Sequence, residues 1–193
     1  MEKVSATKTV KNAMIPFEAH RFYHIYNRAN GSEILFKEER NFYFFMQKYK
    51  QHIHPQVSTL AYCLMPNHFH LLISTGDHKQ AQGLSKSFSN MFSAYTQSYN
   101  KVYKRTGSLF QKNFKRKRVD SELYLKKLIN YIHFNPVIHG FTNAPGQWKY
   151  SSYNAILKQH NTAINCALVI ELFDDINNFR YMHQHPMDFS FDY

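Results

Sequence analysis

The chain has 193 residues, 44% hydrophobic and 17% aromatic, which is enough apolar material for one well-packed domain and too much for a disordered chain. Lys and Arg number 24 against 13 Asp and Glu, a formal charge of +11 at pH 7, so an acidic partner is expected, with nucleic acid ahead of an anionic membrane surface. No apolar run approaches the ~20 residues of a spanning helix, and the N-terminus has no hydrophobic signal block, so a cytoplasmic protein with no membrane partner is expected.

Residues 1–17 are polar with scattered lysines and no clear period, which predicts an N-terminal arm. His20 to Arg28 reads as a first strand, because aromatic and branched residues dominate Phe22-Tyr-His-Ile-Tyr-Asn-Arg28 and Asn30-Gly31 follows as a turn signal. From Glu38 onward Phe42, Phe45, Met46, Tyr49 and Ile53 fall at helical offsets, giving a first amphipathic helix that ends before Pro55. Val57 to Leu64 is a second strand, Met65-Pro66-Asn67 a tight turn, and His68 to Ser74 a third strand antiparallel to it. Leu72 shares a face with the histidines of that strand while Leu71 and Ile73 share the other, as expected of a central strand. Cys63 lies in the apolar second strand, and it has no C-x-x-C spacing to Cys166, so a buried reduced thiol is expected and no disulfide.

Leu84, Phe88, Met91, Phe92, Tyr95, Tyr99 and Val102 repeat at three and four, which predicts a long second helix ended by Arg105-Thr-Gly107. Ser108 to Val119 reads as a fourth strand carrying the densest basic cluster. Asp120 or Ser121 can cap a third helix with Leu125, Leu128, Ile129 and Ile132 as its buried stripe, and Pro136 is expected to stop it at Asn135. Beyond Gly140 come a loop holding Trp148 and a short helix around Leu168 to Phe173, both read as packing. These elements predict an α+β fold, a ferredoxin-like split β-α-β sandwich. It comprises a four-stranded antiparallel sheet with helices on one face and a third helix carrying Tyr131. The expected divisions are an arm over 1–17, the domain over 18–155, and a packed extension over 156–193.

His68 and His70 are the first candidates for chemistry. Side chains two apart on a strand leave the same face, so both can converge on one ion while Phe69 turns into the core. His52 and His54 repeat the spacing at a helix end, and His183 and His185 repeat it in a polar tail, so only the first pair has a strand setting. Two imidazoles make an incomplete site, and Asn135 can add an amide oxygen for Mg2+ or Mn2+. Tyr131, one turn before Asn135, would meet a phosphodiester held there as a nucleophile, because a phosphotyrosine ester stores the energy of the broken bond. A free phenol has a pKa of about 10, so the ion's charge would also help remove its proton. Lys112, Lys115, Arg116, Lys117 and Arg118, with Arg28 and Arg105, are the expected contacts to the DNA backbone. Phe22, Tyr23 and Tyr26 can stack on unpaired bases or pack in the core.

Five stretches in order carry a family resemblance. They are Tyr23-His-Ile-Tyr-Asn-Arg28, Ala61-Tyr-Cys-Leu-Met-Pro-Asn-His-Phe-His-Leu-Leu-Ile73, Gly107-Ser-Leu-Phe-Gln111, Tyr131-Ile-His-Phe-Asn-Pro136 and Trp148-Lys-Tyr-Ser-Ser-Tyr153. Over roughly residues 20–155 the chain resembles the single-tyrosine HUH transposases, and more closely their REP-associated tyrosine transposase branch. The resemblance implies that His68 and His70 are the histidine pair, Tyr131 the nucleophile that takes the 5′ phosphate, and Asn135 the third ligand. It implies single-stranded or hairpin DNA near palindromic repeats as substrate, and a monomer or homodimer.

Plainer readings stand beside these. The histidines can form an ordinary buried pair, Tyr131 can be a packing residue with Tyr124 its nearest rival, and Asn135 can merely end its helix. The basic run can be a solvated strand face. At the level of function, the alternative is a catalytically inactive nucleic-acid-binding module, which predicts salt-sensitive binding without cleavage. A zinc hydrolase would need another Cys, Asp or His ligand.

Overall fold

The described elements assemble on one four-stranded sheet. The structure, a computed structural model, describes residues 15–159, 163–186 and 189, so most of the expected arm lies outside the described residues. The elements in order are β1 (Phe22–Arg28), α1 (Glu39–His52), β2 (Val57–Met65), β3 (His68–Thr75), α2 (His78–Val102), β4 (Lys115–Val119), α3 (Glu122–Ile138), α4 (Tyr153–Lys158), α5 (Cys166–Leu172) and α6 (Ile176–Gln184). The sheet runs β2-β3-β1-β4 with every neighbouring pair antiparallel, which is the ferredoxin-like split β-α-β order.

Local chemistry places the helix starts. Asn41 Oδ1 accepts from the backbone N–H groups of Lys37 and Glu38, each at 3.0 Å, and so closes the entry to α1. At α2, Asp77 and Gln80 form a reciprocal capping box, with Gln80 N–H donating to Asp77 Oδ1 at 2.9 Å. That cap starts α2 six residues ahead of Leu84, so the helix is longer than its apolar period. Ser121 caps α3 by accepting from Tyr124 N–H.

The helices occupy both faces of the sheet, which corrects the expectation of cover on one face. One core packs α1 and α2 on Tyr23, Ile25, Phe69, Leu71 and Ile73. The other packs Leu125, Leu128, Ile129 and Ile132 of α3 on Ala61, Cys63, Met65, Leu72 and Val119. The reason lies in β3, which is apolar on both faces, and burying each face needs its own layer. β4 is also shorter than expected. Asn113 adopts the left-handed conformation (φ 62°), so the extended run restarts only at Lys115, and Phe110 reaches β1 through a single bridge to Ala29. Pro136 does not end α3 at Asn135. The proline removes one N–H, yet the helix runs on to Ile138, with His139 N–H bonded to Asn135 O at 3.0 Å.

The described residues beyond Gly140 hold three α-helices rather than the one expected around Leu168 to Phe173. Val169, Phe173 and Phe179 join the α3 core, and Ile164 bridges to Thr59 at the edge of β2. His183, read as part of a polar tail, is buried with its Nε2 2.9 Å from His133 Nδ1 on α3. Cys63 and Cys166 are both free thiols. Among the described residues no helix is long and apolar enough to cross a membrane.

Candidate functional site

The hairpin turn between β2 and β3 fixes where the histidines begin. Pro66 O accepts from Leu35 N–H and Phe36 N–H, and Asn67 O accepts from Ala29 N–H at 2.8 Å, so the turn is tied to the end of β1. The first residue of β3 is therefore His68, paired with Arg28, and His70 pairs with Tyr26. The period of two puts His68, His70, Arg28, Tyr26, His24, Lys115 and Lys117 on the α3 side of the sheet. Phe69 goes the other way and is fully buried against Phe45, Phe92 and Phe110.

The third helix crosses above this face. The Tyr131 ring meets His70 edge to face, with centroids 5.4 Å apart at 79°. One turn on, Asn135 Oδ1 lies 2.7 Å from His68 Nε2, and one turn further His139 sets its ring 5.0 Å from that of His68. The outer nitrogen of His68, Nδ1, is 2.7 Å from Asn67 Oδ1, while His70 Nδ1 is 2.9 Å from His24 Nε2. Tyr26, Arg28, Lys115, Tyr131 and His139 line a cleft of about 600 Å³ with the two histidines at its floor.

Burial keeps these imidazoles neutral. It pushes His70 well below the usual range, with His24, His68 and His139 adding to the shift, and it lowers His24 to about 3 with a further contribution from Lys117. His68 is lowered by burial, against the opposing hydrogen bond to Asn135 and with help from His139 and Arg28. Neutral imidazole is the form that ligates metal. A neutral His68 has one N–H, so it can donate to only one of the two amide oxygens that its nitrogens face. A divalent cation held by His68 Nε2 and Asn135 Oδ1 would relieve that mismatch, and in this respect the donor set fits one. Among the described residues no group of three or more His, Cys, Asp or Glu side chains is arranged to hold a metal, so a cation here would need the amide of Asn135 as a further donor.

The basic residues divide between the faces. Arg28 and Lys115 line the cleft, and Lys117 stands beside it with its ammonium 5.3 Å from the Tyr124 ring. Arg116 points to the opposite face, where its guanidinium stacks 4.3 Å over Phe17 and donates to Ser85 Oγ at 2.7 Å. Arg118 is held by Glu18 and by Asp120 at 2.7 Å. Arg105 is 16% exposed and bound to Glu33 and Asn100, tying the end of α2 to the loop after β1. Lys112 is exposed on the loop before β4.

Of the first-strand aromatics, only Tyr26 reaches the cleft. Tyr23 is buried on the far face and Phe22 packs against the α3 core. Tyr26 is pushed up by burial, then by Tyr124 and Tyr131. Two residues of this site, His24 and His139, escaped the sequence reading. His24 lay in a quoted motif two before Tyr26, and the period of two alone was enough to put it on the same face. His139 had a weaker signal, its spacing of four from Asn135, which the expected stop at Pro136 concealed.

Three comparisons bear on this geometry. The sequence model of the family described as "Transposase IS200 like" matches residues 21–135. A protein of Haemophilus influenzae named provisionally as a REP-associated tyrosine transposase is 28% identical over 123 residues, which is 59% of this chain and 69% of that protein. A solved structure of a REP-associated tyrosine transposase bound to a REP hairpin superposes with a TM-score of 0.64 at 12% identity, covering 78% of this chain and 87% of that one, a likeness of fold.

Proposed function

Because the chain belongs to the IS200-like transposase family, whose model spans most of its length, we propose that it cuts and rejoins single-stranded or hairpin DNA through a covalent 5′-phosphotyrosine on Tyr131. The observation that carries this reading is the edge-to-face contact of Tyr131 with His70, centroids 5.4 Å apart, on the same cleft as His68. A phosphodiester in that cleft meets the phenol and the histidines at once.

The division of labour follows from the donor set. His68, His70 and Asn135 would hold Mg2+ or Mn2+, which supplies charge to polarise the phosphoryl oxygens. The Tyr131 oxygen forms a bond to phosphorus as the bond from phosphorus to the 3′ oxygen breaks. The phenol gives up its proton, and the departing 3′ oxygen takes one up to become a free hydroxyl. Attack of a 3′ hydroxyl on the phosphotyrosine reverses the step and releases the phenol. Arg28 and Lys115 on the cleft wall, with Lys117 beside it, would hold the flanking phosphates. The relative bound to a REP hairpin makes hairpin DNA the first substrate to try.

Incubation with a single-stranded hairpin oligonucleotide and Mn2+ should give a slowly migrating covalent species, which EDTA prevents and Tyr131→Phe abolishes. An undiminished adduct in Tyr131→Phe would overturn the assignment of the nucleophile. Salt-sensitive binding with no adduct under Mg2+ or Mn2+ would make the chain a binding module instead.

A further inference from the structure

His24 is 1% exposed and lies on β1, diagonal to His70 across the β1–β3 ladder. Its Nε2 is 2.9 Å from His70 Nδ1, and the two rings are nearly parallel, 23° apart. Only one proton fits on the line between two ring nitrogens. Which ring owns it decides what the far side of His70 can do.

If His24 donates, His70 Nδ1 is the acceptor, and the proton of a neutral His70 ring sits on Nε2, where it blocks ligation. If His70 donates, its Nε2 carries a bare lone pair, and Nε2 is the nitrogen left for the cleft that His70 lines. In register His24 faces Leu72 and Lys117, and His70 faces Tyr26, whose ring packs on it at 5.8 Å, and Cys63 of β2.

We propose that His24 is a positioning residue whose Nε2 accepts the Nδ1 proton of His70, holding His70 in the tautomer and orientation that present Nε2 to a divalent cation. This rests on the reading of His68, His70 and Asn135 as a cation site. The effect is that of a hydrogen-bonded partner behind a ligating imidazole, which typically changes metal affinity by about 10–100-fold.

Two measurements on the full chain test it at one fixed pH. Histidine 15N spectra of the metal-free protein, with His70 identified by its loss in His70→Asn, should show the Nδ1–H tautomer, and an Nε2–H tautomer overturns the proposal. Mn2+ titrations followed by electron paramagnetic resonance should show a loss of about 10–100-fold in His24→Phe. His24→Gln, whose Oε1 can accept the same proton, should restore affinity to within about threefold. Equal losses in the two variants, or none in His24→Phe, overturn it. If His24→Phe does not fold, the tautomer and the His24→Gln affinity decide. His70→Ala separates the premise from the inference. Unchanged Mn2+ affinity there removes the cation site itself, whereas a loss there without one in a folded His24→Phe removes only the role of His24.

Discussion

Asn135 joins the two halves of the site through a single amide. It has no exposed surface, its Oδ1 lies 2.7 Å from His68 Nε2, and its buried Nδ2 has no hydrogen-bond partner. Leaving a buried polar atom unpaired costs about 1–3 kcal/mol, so packing does not explain the residue. The proposed role as an oxygen donor to a cation would give Oδ1 a purpose, and it yields an expectation that separates function from folding. Asn135→Ala should lower Mn2+ affinity at least about tenfold while lowering thermal stability by no more than about 1 kcal/mol, because it removes the unpaired Nδ2 along with the donor. Calorimetric Mn2+ titration beside thermal melting checks both halves, and a large loss of stability at full affinity would return Asn135 to a structural role. Tyr131, one turn before it, stood out among the tyrosines only through its spacing to Asn135 taken together with the family resemblance. The burial of Asn135 was not, because Pro136 marked a helix end that the rest of the turn overrides.

At the scale of elements, α6 shows how a polar residue becomes a core residue. His183 Nδ1 donates to Phe179 O at 2.8 Å, which leaves Nε2 to accept from His133 Nδ1, and His133 Nε2 is 2.8 Å from Ser152 Oγ. The chain of bonds ties α6 to α3 and to the segment after Trp148. Burial lowers His183 to about 4 and pushes His133 well below its usual range, with His183 adding to the latter shift. The unfolded chain, with ordinary histidines near 6.5, therefore binds more protons than the folded chain between about pH 6.5 and pH 4. Stability is complete above 6.5 and falls with pH through that window, by up to about 3 kcal/mol for His183. Thermal melting at pH 7.5 and pH 4.5 should show the fall, and His183→Leu should flatten it. An unchanged slope in that variant would mean that other groups govern acid stability. The pair of His183 and His185 thus imitates the His68 and His70 spacing, but at the end of a helix the two part, His183 buried and His185, just past the last turn, exposed.

For the whole molecule, the +11 charge matters less than its division between the two faces of the sheet. β4 alternates, so Lys115 and Lys117 flank the cleft while Arg116 and Arg118 sit among Phe17, Ser85, Glu18 and Asp120 on the other side. In anisotropy titrations with a hairpin oligonucleotide, Lys115→Ala and Lys117→Ala should each reduce the slope of log K against log salt by about 0.7–0.9, the amount for one lost phosphate contact. Arg116→Ala should leave that slope unchanged and lower stability instead, since its guanidinium covers Phe17 and Phe114. Equal slopes for all the variants would remove the sheet face as the binding surface.

The sequence alone determined the order of strands and helices from β1 to α3, the ferredoxin-like class, and the shared face of His68 and His70, because hydrophobic period, turn residues and the two-residue repeat of a strand are local properties. Only the tertiary structure decided that α3 covers the opposite face from α1 and α2, that Arg116 and Arg118 turn away from the cleft, and that His24 stands behind His70. Each of those depends on register between distant strands, and a shift of one residue there exchanges the faces without altering any local pattern.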